Sequence, residues 1–220
     1  CSRATRITAA TPSPTPGSGG SVWYFAEGST QTGFNTFLLL ANPSTVPISA
    51  TVTYYKEVGA PVVKTYSLKA TSRLNIWVNQ EVPNSALAMK VASASALFAE
   101  RAMYFGFDGH DSHGLAAPSL TWLFAEGATT KPFDTWILLQ NPNLTTAHVT
   151  LSFLKEDGTM VVRAFTVAPQ TRLNVFANQI VPNAAIAIQG TSDLPIVAER
   201  SMYFSGGGHG SSGVIAAGTQ

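Results

Sequence analysis

The feature that most constrains this chain is an internal repeat with one constant offset. Trp23-Tyr24-Phe25-Ala26-Glu27-Gly28 returns 99 positions later as Trp122-Leu123-Phe124-Ala125-Glu126-Gly127. At the same offset Asn42-Pro43 returns as Asn141-Pro142, Arg73-Leu74-Asn75 as Arg172-Leu173-Asn174, and Val82-Pro83-Asn84 as Val181-Pro182-Asn183. Ala99-Glu100-Arg101 and Met103-Tyr104-Phe105 return as Ala198-Glu199-Arg200 and Met202-Tyr203-Phe204, with no gap anywhere. A unit of this length is a small domain rather than a solenoid repeat. The chain is therefore read as an arm over residues 1–21, a first repeat over 22–119 and a second over 120–220.

Each unit reads as strands. Val52-Thr53-Tyr54-Tyr55 and Leu151-Ser152-Phe153-Leu154 are rich in β-branched and aromatic residues, which suit a pleated, half-buried surface. Arg73-Leu74-Asn75-Ile76-Trp77 and its counterpart alternate polar and apolar residues, the period of a strand with one buried face. Phe37-Leu38-Leu39-Leu40 and Trp136-Ile137-Leu138-Leu139 are continuous apolar runs, expected as central strands. Asn-Pro stops each one, because proline lacks the donor a ladder needs. No window carries a long helical period. The expected fold is all-β: two tandem antiparallel β-sandwiches of immunoglobulin-like architecture behind an extended N-terminal arm.

The arm is rich in Pro, Ser, Thr and Gly and has no apolar surface to bury, so it is expected to be extended. Ala4, Thr5, Arg6, Ile7, Thr8, Ala9 and Ala10 form its one stretch suited to strand pairing, the candidate for donation to a sheet of another copy. The single cysteine, Cys1, cannot form a disulfide within the chain. Followed by Ser2 and this arm, it is similar to the lipid-bearing end of a bacterial lipoprotein, the only route to a membrane that the sequence suggests.

Charge excludes one class of partner. Charged residues are 11% of the chain and the net charge is +1 without a basic block, so nothing is set up to neutralise nucleic-acid phosphates. The few charges recur: Glu27, Arg73, Glu100 and Arg101 in one repeat, Glu126, Arg172, Glu199 and Arg200 in the other. Each is set in apolar sequence. The expected role is structural ion pairing, with the glutamate of each opening motif matched to an arginine of its own repeat. Glu27 with Glu100, and Glu126 with Glu199, are the carboxylate pairs that glycoside hydrolysis would call for. An arginine directly after Glu100 and Glu199, and duplication of the whole arrangement, count against it.

Asp108, His110, Asp111 and His113 are the metal-like candidates, read as a glycine-rich loop. The second repeat keeps His209 but no carboxylate there, so a shared metal site is not expected and no cofactor is assigned. Trp23, Trp77, Trp122 and Trp136 offer flat faces for stacking sugars. The exchange of Trp77 for Phe176, and of Phe37 for Trp136, instead reads as core volume conserved while identity varies.

Taken together, the Trp-x-Phe-Ala-Glu-Gly opening, the Leu-Leu-x-Asn-Pro strand end and the Ala-Glu-Arg-x-Met-Tyr-Phe close resemble a repeat of unknown function found in large secreted and surface proteins of actinobacteria and related bacteria. The resemblance covers roughly residues 22–218. It implies tandem extracellular or cell-surface repeats and supplies no catalytic residues. The expectation is a non-enzymatic structural protein, a subunit of a surface filament or adhesive stalk that meets copies of itself through its arm. The alternative is a lipid-anchored surface module that binds a carbohydrate or a protein.

Overall fold

The structure is a computed structural model and describes residues 20–205 and 207–214. Cys1 and the candidate donor segment, residues 4–10, lie outside the described residues. The described chain is almost entirely antiparallel β. The first repeat holds β1 (Ser21–Phe25), β2 (Phe34–Asn42), β3 (Ile48–Lys56), β4 (Val62–Leu68), β5 (Ser72–Trp77), β6 (Leu87–Ser93), β7 (Phe98–Phe105) and β8 (Asp108–His113). They form two four-stranded sheets in the orders β1-β6-β3-β4 and β5-β2-β7-β8. The second repeat holds β9 (Ser119–Phe124), β10 (Asp134–Asn141), β11 (Ala147–Lys155), β12 (Met160–Val167), β13 (Thr171–Phe176), β14 (Ile186–Phe204) and β15 (Gly207–Ser212). Its strands pair in the same orders, except that β14 serves both sheets. The first part of β14 pairs with β9 and β11, the second with β10 and β15. The only helices among the described residues are single turns, α1 (Val78–Glu81) and α2 (Ala177–Ile180).

The recurring motifs have local causes. The Asn42 side chain donates to Val46 and Lys69 carbonyls, both at 2.8 Å, and accepts from the Ser44 N–H. It stitches the β2–β3 turn to the β4–β5 turn. Asn141 does the same with Thr145, Ala168 and Asn143. Asn84 and Asn183 end their Val-Pro-Asn motifs at φ of 50° and 54°, a left-handed conformation that asparagine tolerates better than most residues.

Each repeat has its own core. Trp23, Phe25, Leu38, Leu40, Val52, Tyr54 and Met89 pack in the first, Trp122, Phe124, Ile137, Leu139, Leu151, Phe153 and Ile188 in the second. Two aromatic expectations need correction. Trp77 is 41% exposed and stacks on Phe37 outside the core. Trp136 joins a third cluster with Tyr24, Ala26, Leu115, Leu138 and Val197, where the two repeats meet. The reason is alternation: along β5 Trp77 falls in step with Arg73 and Asn75, and along β10 Trp136 falls on the half of the apolar run that faces away from its own sandwich.

Candidate functional site

The seam between the repeats gathers most of the buried charge. Glu27 follows the end of β1, and β7 alternates so that Arg101 and Met103 face inward while Glu100 and Tyr104 face out. Glu27 Oε2 lies 3.2 Å from Arg101 Nη2, and Arg101 Nη1 donates to the Glu27 carbonyl at 2.9 Å. The rest of the cluster comes from the outer face of the sheet β13-β10-β14-β15. Glu199 Oε2 accepts from Arg101 Nη1 and from the Glu27 N–H, both at 2.7 Å. Ser201 Oγ and Tyr203 OH donate to Glu27 Oε1, the latter at 2.8 Å. Arg172 Nη1 donates to the carbonyls of Gly28, at 2.6 Å, and Leu87.

Close approach is needed for these contacts, and glycine provides it on β15. A Cβ on Gly210 would stand 2.8 Å from Glu27 Oε2 and 3.0 Å from the His110 ring. Beside it the Gly208 N–H donates to Asp108 at 2.9 Å. The Tyr203 ring meets Phe105 edge-on at 5.1 Å and Phe34 at 5.9 Å. A crevice of about 200 Å³ remains at the seam, bordered by Glu27, Gln31, Phe34, Trp136, Arg172 and Tyr203.

Burial and charge compete in this cluster. Burial favours protonated Glu27, but Arg101, His110 and the hydroxyls of Ser201 and Tyr203 outweigh it, and its carboxyl is held below the ordinary value. Burial wins at Glu199, which is raised, with repulsion from Glu27 adding to it against the attraction of Arg101. Burial also lowers His110, whose Nε2 is 3.5 Å from Glu27. It likewise lowers Arg172, whose partners are neutral carbonyls and Asn174. Charges buried together at this depth give geometric definition rather than net stability.

The same set in the second repeat has a different fate. Glu126 lies 3.0 Å from Arg200, and Arg200 Nη1 donates to the Glu126 carbonyl at 2.6 Å. His209 Nδ1 is 3.2 Å from Arg200 Nη2. Yet the Glu126 side chain is 61% exposed, against 3% for Glu27. Arg73 and Glu100, the counterparts of Arg172 and Glu199, are exposed and have no ion-pair partner among the described residues. They border a shallow pocket of about 280 Å³ with Leu39, Ala41 and Phe98.

The expected metal loop is instead strand β8, and strand geometry divides its ligands. Asp108 and His110 face the seam, while Asp111 and His113 lie on the alternate face. Among the described residues no group of three or more His, Cys, Asp or Glu side chains is placed to hold a metal ion. Sequence reasoning missed Gln140, Ser201 and Tyr203 as seam residues. A signal was present: Gln140 and Ser201 stand where the first repeat has Ala41 and Ala102, polar side chains added on one copy only.

No protein-family model matches the chain, and no curated protein matches it. Two solved structures align with part of the chain. The crystal structure of Thermotoga maritima 1070 aligns at 20% identity and a TM-score of 0.43, over 46% of this chain and 98% of that one. The Anabaena sensory rhodopsin transducer aligns at 24% identity and 0.33, over 37% of this chain and 92% of that one.

Proposed function

We propose that the chain is a non-catalytic structural element of an extracellular or cell-surface assembly, made of two immunoglobulin-like sandwiches locked head to tail. The observation that carries this reading is what the buried charges do. Glu27, the carboxylate most embedded in an opening motif, is engaged by Arg101, Ser201 and Tyr203 and so joins repeat to repeat. Arg172 is likewise occupied with backbone carbonyls of the other repeat. Side chains held by so many partners set geometry; a catalytic acid or base needs a partner that can leave.

Self-association tests the reading. Sedimentation and negative-stain electron microscopy of the full chain across a wide concentration range should give species larger than the 23.2 kDa monomer. A strictly monomeric chain at high concentration would remove the assembly role. Repeating the measurement without residues 1–19 separates association through the arm from association through folded faces.

A further inference from the structure

We propose that the outer face of the sheet β5-β2-β7-β8 is a docking surface for the second repeat of another copy of this chain, a junction that repeats the internal seam. This rests on the assembly reading and names the surface through which assembly occurs.

The internal seam is heterologous. The first repeat presents an end, made of Glu27, Arg101, His110, Tyr24 and Leu115; the second presents an outer sheet face. Because the two repeats share one fold, the chain also carries an unused copy of each half. The unused end is Glu126, Arg200 and His209, with Leu123 in the place of Tyr24 and 41% exposed. The unused face carries Glu100, Arg73 and Tyr104 in the places of Glu199, Arg172 and Tyr203. A heterologous contact of this kind propagates until it closes into a ring or continues as a polymer.

The unused face has the character of an interface. Phe37 and Leu39 are apolar on a side of β2 that no strand among the described residues covers. Trp77 stacks on Phe37 at 6.4 Å and Tyr104 meets Phe37 edge-on at 5.9 Å, both rings being exposed. On the second repeat the equivalent positions, Trp136 and Leu138, are packed against Tyr24, Ala26 and Leu115. Around this apolar patch Glu100 and Arg73 match the Arg200 guanidinium and the carbonyls of Gly127 and Ile186, as Glu199 and Arg172 match their partners within the chain.

Among the positions that depart from the template, the following weaken the junction. Ala102 and Ala41 replace Ser201 and Gln140 and remove two hydrogen bonds. Asp111 replaces Gly210, the residue whose missing side chain makes room for Glu27. An arriving Glu126 therefore meets a carboxylate. The contact between copies is accordingly weaker than the internal one, as a concentration-dependent contact should be.

The test uses full-length chains, with thermal melts confirming that each variant folds. Glu100→Arg on the face and Leu123→Arg on the end should each weaken self-association by about tenfold or more. Asp111→Gly should strengthen it. Mixed in equal amounts, the Glu100→Arg and Leu123→Arg chains should recover a junction that neither forms alone, since each keeps the half the other lost. The inference is overturned if all three variants associate like the parent, if the mixture stays monomeric, or if the aromatic face binds a glycan panel while Glu100→Arg leaves association unchanged. Association that ignores these variants defeats only this surface; a chain that never associates defeats the assembly reading as well.

Discussion

Replacing Glu27 by Gln is the most direct probe of the seam, because the chain carries its own control. Breaking a buried ion pair by removing one partner costs about 3–5 kcal/mol. Two features reduce that figure here. Arg101 keeps Glu199 at 2.7 Å, and the Gln carbonyl still accepts from Ser201 and Tyr203. The expected loss is about 2–3 kcal/mol, equivalent to a fall in Tm of about 4–12 °C for a chain of this size. Glu126→Gln breaks the homologous pair at a side chain that is 61% exposed, where such pairs are worth about 0–1 kcal/mol. Differential scanning calorimetry reads both. Because Glu27 joins two separate cores, its loss should also split the transition, the two repeats melting apart. Equal effects of the two substitutions, or a single sharp transition with unchanged Tm in Glu27→Gln, would refute the claim that the cluster couples the repeats.

Two further outcomes follow from the same geometry. His110 faces Glu27, Arg101, His209 and Asp108, and burial holds it below the ordinary imidazole value. The unfolded chain therefore takes up a proton that the folded one refuses: stability is full above about pH 6.5 and falls as pH drops from there toward the folded value. Glu27, lowered in the fold, loses its contribution only below about pH 4.3, while the raised Glu199 acts in the opposite sense at acid pH. Denaturant titrations from pH 7.5 to 5.5 should show a decline that His110→Phe flattens; a parallel decline in both proteins would rule this out. Separately, Gly210→Ala should cost about 1–3 kcal/mol in a melt, since its Cβ must displace a carboxylate held by several partners, whereas Asp111→Ala at the exposed counterpart should be near neutral.

Much of the fold was legible in the sequence, because strand alternation, Asn-Pro stops and the constant offset all act locally. The recurrence gives each opening-motif glutamate an arginine of its own repeat but does not choose between Arg73 and Arg101, or between Arg172 and Arg200; Arg101 and Arg200 are the ones in place. What could not be read was unequal fate. Glu100 and Glu199 are the same position in two copies, yet one is exposed and the other is among the most buried carboxylates. A repeat pattern treats them alike, and only docking of one copy's end on the other's face tells them apart. The exposure of Trp77, by contrast, was legible. Trp77 stands on β5 in step with Arg73 and Asn75, so the alternation of its own strand places it on the polar side, and ring size alone is no guide to the core.

Strand β14 has a consequence for how the chain comes apart. In the first repeat, residues 94–97 separate β6 from β7, so one sheet can detach there while the other keeps its ladder. In the second repeat the equivalent residues, 193–195, run on within β14 but pair with no other strand, and the register shifts across them. Its 19-residue strand is a rung of both sheets, and releasing either sheet means breaking pairs along a single shared backbone. Glu199, Ser201 and Tyr203 all stand on the second part of β14, which is paired on one edge with β10 and on the other with β15, so the charged end of the first repeat is fastened to a strand whose amides should be among the slowest to exchange.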